Sequence, residues 1–189
     1  MRAELEYHGG GLRSIHVIQG QYGLATRPDE VLCTLLGSCV AACLSDPVAG
    51  VGGMNHFLLP GAGGAAAGGS ADAGTMKYGV HAMELLINAL LRAGARRARL
   101  RARLYGGANM LDALPQIGTA NARFARDFLR NEGIRCVESD LGGRQARRLR
   151  FFAQADRVEL RLVTAPDPVA LAAPRPPPAP RSSGEVTFF

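Results

Sequence analysis

A cysteine and a histidine fall at matching depths in two neighbouring apolar runs, Leu35-Leu36-Gly37-Ser38-Cys39-Val40 and Gly52-Gly53-Met54-Asn55-His56-Phe57. Between them, Ser45-Asp46-Pro47-Val48-Ala49-Gly50 reads as a turn, with Asp at its first position and Pro at its second. Pairing of Asp46 with Ala49 across that turn carries back along an antiparallel hairpin. It sets Cys39 opposite His56 on one face, with Cβ atoms roughly 4.5–5.5 Å apart. A thiol and an imidazole so placed are the core of a cysteine hydrolase site, in which the base takes the thiol proton and the thiolate attacks a carbonyl carbon. The expectation depends on register. A type I turn is not the favoured two-residue connection and invites a bulge, and a one-residue slip would send the two side chains to opposite faces.

The elements that must position this pair are legible in outline. Residues 12–18 read as a first strand, and residues 30–36 and 39–44 as short apolar strands interrupted by Gly37-Ser38. Residues 51–59 form the return strand, and 61–74, almost all Gly, Ala and Ser, reads as a mobile loop beside the histidine. Val80, Met83, Ile87, Leu90 and Leu91 have helical spacing within 75–93, and Gly94 supplies a stop. A strand over 98–105 is followed by Gly106-Gly107-Ala108-Asn109, whose glycines permit an unusual backbone. A second helix spans about 119–131, stopped by Gly133, and strands follow near 134–138, 148–152 and 157–163. Strands and helices interleave without a regular βαβ rhythm. That pattern predicts an α+β fold, a layered α/β sandwich with mixed sheet. Residues 1–165 read as one domain and 166–189 as a Pro-rich tail of polyproline type, closing on Phe188-Phe189.

Composition narrows the function classes. With 47% hydrophobic and 20% charged residues, the 189-residue chain is that of a soluble globular protein. It lacks an apolar run long enough to span a bilayer and a signal-peptide core. Cys33, Cys39, Cys43 and Cys136 therefore read as reduced thiols in a cytoplasmic protein, with Cys33 and Cys43 as core thiols. The net charge of +6 is almost entirely arginine, with clusters at Arg96–Arg103 and Arg144–Arg150. These fit either an acidic partner or solvated strand faces, since Arg99, Arg101 and Arg103 alternate with Leu100, Ala102 and Leu104. Without Trp or interleaved aromatics, a nucleic-acid stacking platform is not expected. A zinc site built from Cys39, Cys43 and His56 fits no usual ligand spacing. P-loop, Rossmann and paired-carboxylate motifs are absent.

Several blocks recur together in one order: Leu36-Gly37-Ser38-Cys39-Val40, Asp46-Pro47, Gly53-Met54-Asn55-His56-Phe57-Leu58-Leu59-Pro60, Lys77-Tyr78, Gly106-Gly107-Ala108-Asn109-Met110, Ile117-Gly118 with Asn121, and Asp140-Leu141-Gly142-Gly143. The series, covering residues 12–163, resembles the CheD family of chemoreceptor glutamine deamidases. The resemblance implies a fold shared with deamidating bacterial toxins and a Cys-His-Thr site that converts receptor glutamines to glutamates with release of ammonia. It implies no metal or organic cofactor. As partners it implies methyl-accepting chemotaxis receptors and, in some family members, a chemotaxis phosphatase, with no membrane insertion. Cys39 takes the nucleophile position and His56 the base position. The family's threonine, six positions before the cysteine, falls here on Cys33, and Thr34 follows one residue later. Either a shift in the bend brings Thr34 to His56, or another group orients the imidazole. His56 is expected to draw the thiol toward its thiolate, and N–H groups near Ser38 and Cys39, or from Gly106-Gly107, to hold the oxyanion. Contact-based regulation and receptor methylesterase chemistry are the competing expectations.

Overall fold

The computed structural model describes residues 4–7, 11–60, 73–110 and 117–163. Nearly all of the 61–74 loop and the whole 166–189 tail lie outside the described residues. In chain order the first elements are strands β1 (Glu4–Tyr7), β2 (Arg13–His16), β3 (Gln21–Ala25), β4 (Glu30–Leu36), β5 (Val40–Asp46) and β6 (Val51–Phe57). Helix α1 (Ala73–Arg92), β7 (Arg101–Gly106), α2 (Ile117–Asn131), β8 (Arg135–Leu141), β9 (Ala146–Phe152) and β10 (Arg157–Val163) follow. The expected strand over 98–105 begins late, because residues 97–99 form a 3-10 turn.

The strands form two mixed five-stranded sheets, ordered β1-β2-β4-β9-β10 and β3-β6-β5-β7-β8. Alternation along the strands explains how they stack. In β5, Ala41 and Cys43 join Leu32, Leu36, Leu149 and Phe151 of the other sheet in one buried cluster. Val40, Ala42 and Leu44 join Met83, Leu86 and Leu90 of α1 and Phe124, Phe128 and Leu129 of α2 in a second. The molecule is therefore sheet on sheet on helices, with the β5–β6 hairpin in the middle layer. That is why β5 and β6 are buried along their whole length and read as unbroken apolar runs. Both expected glycine stops are present, Gly94 and Gly133 having positive φ.

Several of the clustered arginines are committed to ion pairs within the chain. Arg99 pairs with the fully buried Asp46, holding that carboxyl well below the usual range. Arg97 pairs with Glu132, Arg147 with Asp140 and Arg150 with Glu159. Buried Arg103 reaches from β7 to Asp156 in the β9–β10 turn, where Ser45 Oγ also donates at 2.6 Å. This network ties one sheet to the other. Among the described residues no helix is long and apolar enough to cross a membrane.

Candidate active site

The hairpin register differs from the expected one by two residues. Val40 pairs with Phe57, Ala41 with His56 and Asp46 with Val51, so Pro47–Gly50 form a four-residue loop. Asp46 makes this longer loop by accepting from the N–H groups of Val48 and Ala49 at 3.1 Å each. Cys39 is thus not the direct partner of His56. It precedes β5 by one residue, in the Gly37-Ser38-Cys39 crossover that leaves the first sheet and enters the second. A two-residue shift preserves the face, however. Cys39 packs against the same inter-sheet cluster as Ala41, the residue opposite His56.

The crossover is pinned by three successive carbonyls. Gly37 C=O accepts from Ala108 N–H at 2.9 Å and Cys39 C=O from Gly107 N–H at 2.7 Å. Ser38 C=O accepts from the Asn121 side chain at 3.0 Å. Asn121 is fully buried and its Oδ1 also takes Leu59 N–H at 2.8 Å, so one side chain clamps the cysteine loop to the end of the histidine strand. The glycine pair takes part in these contacts. The Gly107 N–H is spent on the Cys39 carbonyl, and Gly106 is the point where that carbonyl passes too close for any side chain. Both glycines thus fix the cysteine loop. Beside the thiol, the Cys39 backbone N–H favours the charged form of the sulfur.

Thr34 reaches His56 from the other sheet. Strand alternation sends Leu32, Thr34 and Leu36 inward and Cys33 to the outer face, where it pairs in register with His16 and Arg150. Thr34 Oγ1 lies 2.9 Å from His56 Nδ1. It also donates to Val17 C=O at 2.7 Å, and Nδ1 is itself 3.2 Å from that carbonyl. A carbonyl only accepts, and the threonine proton is already directed at it, so Nδ1 carries the imidazole proton. The lone pair is then on Nε2, which is buried and makes no hydrogen bond to a described residue.

Burial decides the resting charges. Desolvation holds His56 below the ordinary histidine value, against the opposing pull of Val17 C=O. It pushes the Cys39 thiol up, with only its own backbone N–H working the other way. Both directions favour the uncharged forms of thiol and imidazole, against the expected drift toward thiolate. The thiol donates to Gln19 Oε1 at 3.3 Å, a contact the sequence did not reveal, because Gln19 belongs to the short β2–β3 connection and no periodicity marks it. Cys43 is fully buried, with its thiol pushed far up by desolvation, and His81 is exposed on α1.

Residues 58–162 match the family model for CheD, described as chemotactic sensory transduction. A Caulobacter vibrioides (strain NA1000 / CB15N) protein named probable chemoreceptor glutamine deamidase CheD is 49% identical over 177 residues, 93% of this chain and 92% of that protein. The protein of the same name from Acidiphilium cryptum (strain JF-5) is 51% identical over 180 residues, 94% of each chain. That from Caulobacter sp. (strain K31) is 46% identical over 190 residues, 100% of this chain and 98% of the relative. Among solved structures, Neisseria meningitidis protein NMB0706 gives a TM-score of 0.41 at 9% identity, over 71% of this chain and 64% of that one. With about half its residues shared with these relatives along nearly its whole length, the chain belongs to the CheD family.

Proposed function

We propose that this chain is a protein-glutamine deamidase that converts glutamine side chains on the cytoplasmic helices of chemotaxis receptors to glutamates. Cys39 serves as nucleophile, His56 as base and acid, and Thr34 as the residue that orients the imidazole. One observation carries the reading: Thr34 and the Val17 carbonyl hold the proton on His56 Nδ1, leaving the lone pair on a buried Nε2 that makes no hydrogen bond to a described residue.

The reaction follows from a neutral pair. Nε2 takes the thiol proton as sulfur attacks the carboxamide carbon, and the Cys39 N–H stabilises the charge that forms on oxygen. The imidazolium then hands its proton to the departing nitrogen, ammonia leaves, and a thioester remains. Nε2 next deprotonates water, which attacks the thioester; glutamate leaves and the sulfur recovers its proton. Each step is a proton or acyl transfer.

The test is mass spectrometry of a receptor cytoplasmic fragment incubated with the protein. Glutamine-to-glutamate conversion at defined positions is the expected result. A fragment that binds but is not converted would replace this reading with contact-based regulation, through the receptor or a chemotaxis phosphatase.

Thr34 should matter less than a third catalytic residue usually does. Thr34→Val removes one hydrogen bond to Nδ1 but leaves Val17 C=O to hold the same proton, so the tautomer survives. The expected loss is one hydrogen bond, about 1 kcal/mol, or roughly five- to tenfold in kcat. A thousandfold loss in steady-state assays would mean that Val17 alone does not orient the ring.

A further inference from the structure

Gln19 lies outside the three residues assigned above, yet its side chain touches the thiol, accepting from Sγ at 3.3 Å. Its segment is fixed to the base as well. Val17 C=O meets His56 Nδ1, and Gly20 N–H donates to His56 C=O at 2.7 Å. Gln19 therefore stands in a defined position relative to nucleophile and base.

Attack by Cys39 puts negative charge on the former carboxamide oxygen, which needs donors. In the neighbouring glycine loop, Gly107 N–H and Ala108 N–H are already committed to the carbonyls of Cys39 and Gly37. A carboxamide carries an acceptor and two donors on one planar group. At rest the acceptor of Gln19 receives the S–H. Once that proton has passed to His56, the acceptor has lost its donor, and the NH2 end is the one that suits the new charge. The terminal torsion of Gln is broad, so the half-turn between the two orientations costs little.

We infer that Gln19 is a further catalytic residue of this site, donating its side-chain N–H to the oxyanion alongside the Cys39 backbone N–H. The inference rests on the deamidase reading. It is tested by steady-state kinetics of wild type, Gln19→Ala and Gln19→Glu on a receptor cytoplasmic fragment, with circular dichroism to verify folding. Glu preserves size and acceptors but has no N–H. Both variants should lose on the order of 10²–10³ in kcat with KM little changed. Alkylation of Cys39 by iodoacetamide, a displacement at saturated carbon that forms no oxyanion, should proceed in Gln19→Ala as in wild type.

Three results would overturn the inference while the deamidase reading stands: wild-type kcat in Gln19→Ala, loss of alkylation together with turnover, or conversion of Gln19 itself to Glu in wild type but not in Cys39→Ala. The last would make the side chain a substrate. A wild-type protein that deamidates no receptor fragment would remove both readings at once.

Discussion

Cys39→Ala is expected to abolish receptor deamidation, and His56→Gln to reduce it by on the order of 10²–10⁴, the usual contribution of a positioned general base. The two variants differ in what remains. Without the thiol there is no acyl intermediate, and the pH of the assay is irrelevant. Without the imidazole, the only nucleophile is thiolate formed by simple titration. Burial raises the Cys39 pKa above the ordinary thiol value of 9.0. The residual rate of His56→Gln should therefore climb about tenfold per pH unit through neutrality and beyond pH 9, as the thiolate fraction does.

Wild type should behave differently, and the sign follows from the directions of the two shifts. The reactive form has His56 neutral and Cys39 protonated. His56 titrates below its ordinary 6.5 because burial disfavours the cation, so kcat/KM should hold through neutrality. Below pH 9 it should fall only on the acid side, with its midpoint under 6.5. Ultraviolet thiolate absorbance, taken as wild type minus Cys39→Ala at pH 7, should be absent. A strong thiolate signal there, or a His56→Gln rate independent of pH, would replace the neutral pair with a resting ion pair.

How much of this site was legible beforehand depended on which residues share a strand. Cys39 directly precedes β5 and His56 lies on β6, and a side-chain period of two kept the expected face even though the register differed by two residues. That error came from Asp46, whose carboxylate caps two loop N–H groups and stabilises four loop residues where a shorter turn was expected. The helices and their glycine stops were readable from periodicity. Strand β3 was not. Its sequence, Gln21-Tyr22-Gly23-Leu24-Ala25, alternates weakly, and Gly23 is there because Leu32, Val17 and Ile15 leave no room for a Cβ. Thr34 could be named only as a candidate, since its contact with His56 crosses from one sheet to the other. Gln19 left no signal at all: an exposed glutamine in a turn looks like any other until the chain is folded around the thiol.

Gly106→Ala is expected to cost on the order of 10² in kcat although residue 106 bears no reactive group and sits on a strand remote in sequence from Cys39. Its φ of +109° is one that L side chains rarely adopt. A Cβ there would stand 2.2 Å from Cys39 O, 3.2 Å from Cys39 C and 3.3 Å from Val40 Cα. All three neighbours are backbone, so relief requires moving the peptide that carries the nucleophile. That same peptide is held by Gly107 N–H, and its neighbours are held by Ala108 and Asn121. The displacement therefore spreads through the crossover, and a misplacement of about 1 Å is enough for a hundredfold loss. Gly50→Ala is the control. Its φ is also positive, at +66°, but a Cβ there meets nothing within 4 Å, and it lies at the opposite end of β5 from the thiol. That variant should lose about 1–2 kcal/mol of stability in urea unfolding and keep its turnover. Equal turnover in the two variants would mean that the glycine loop does not fix the cysteine, and that the thiol is positioned from the Gln19 and His56 side alone.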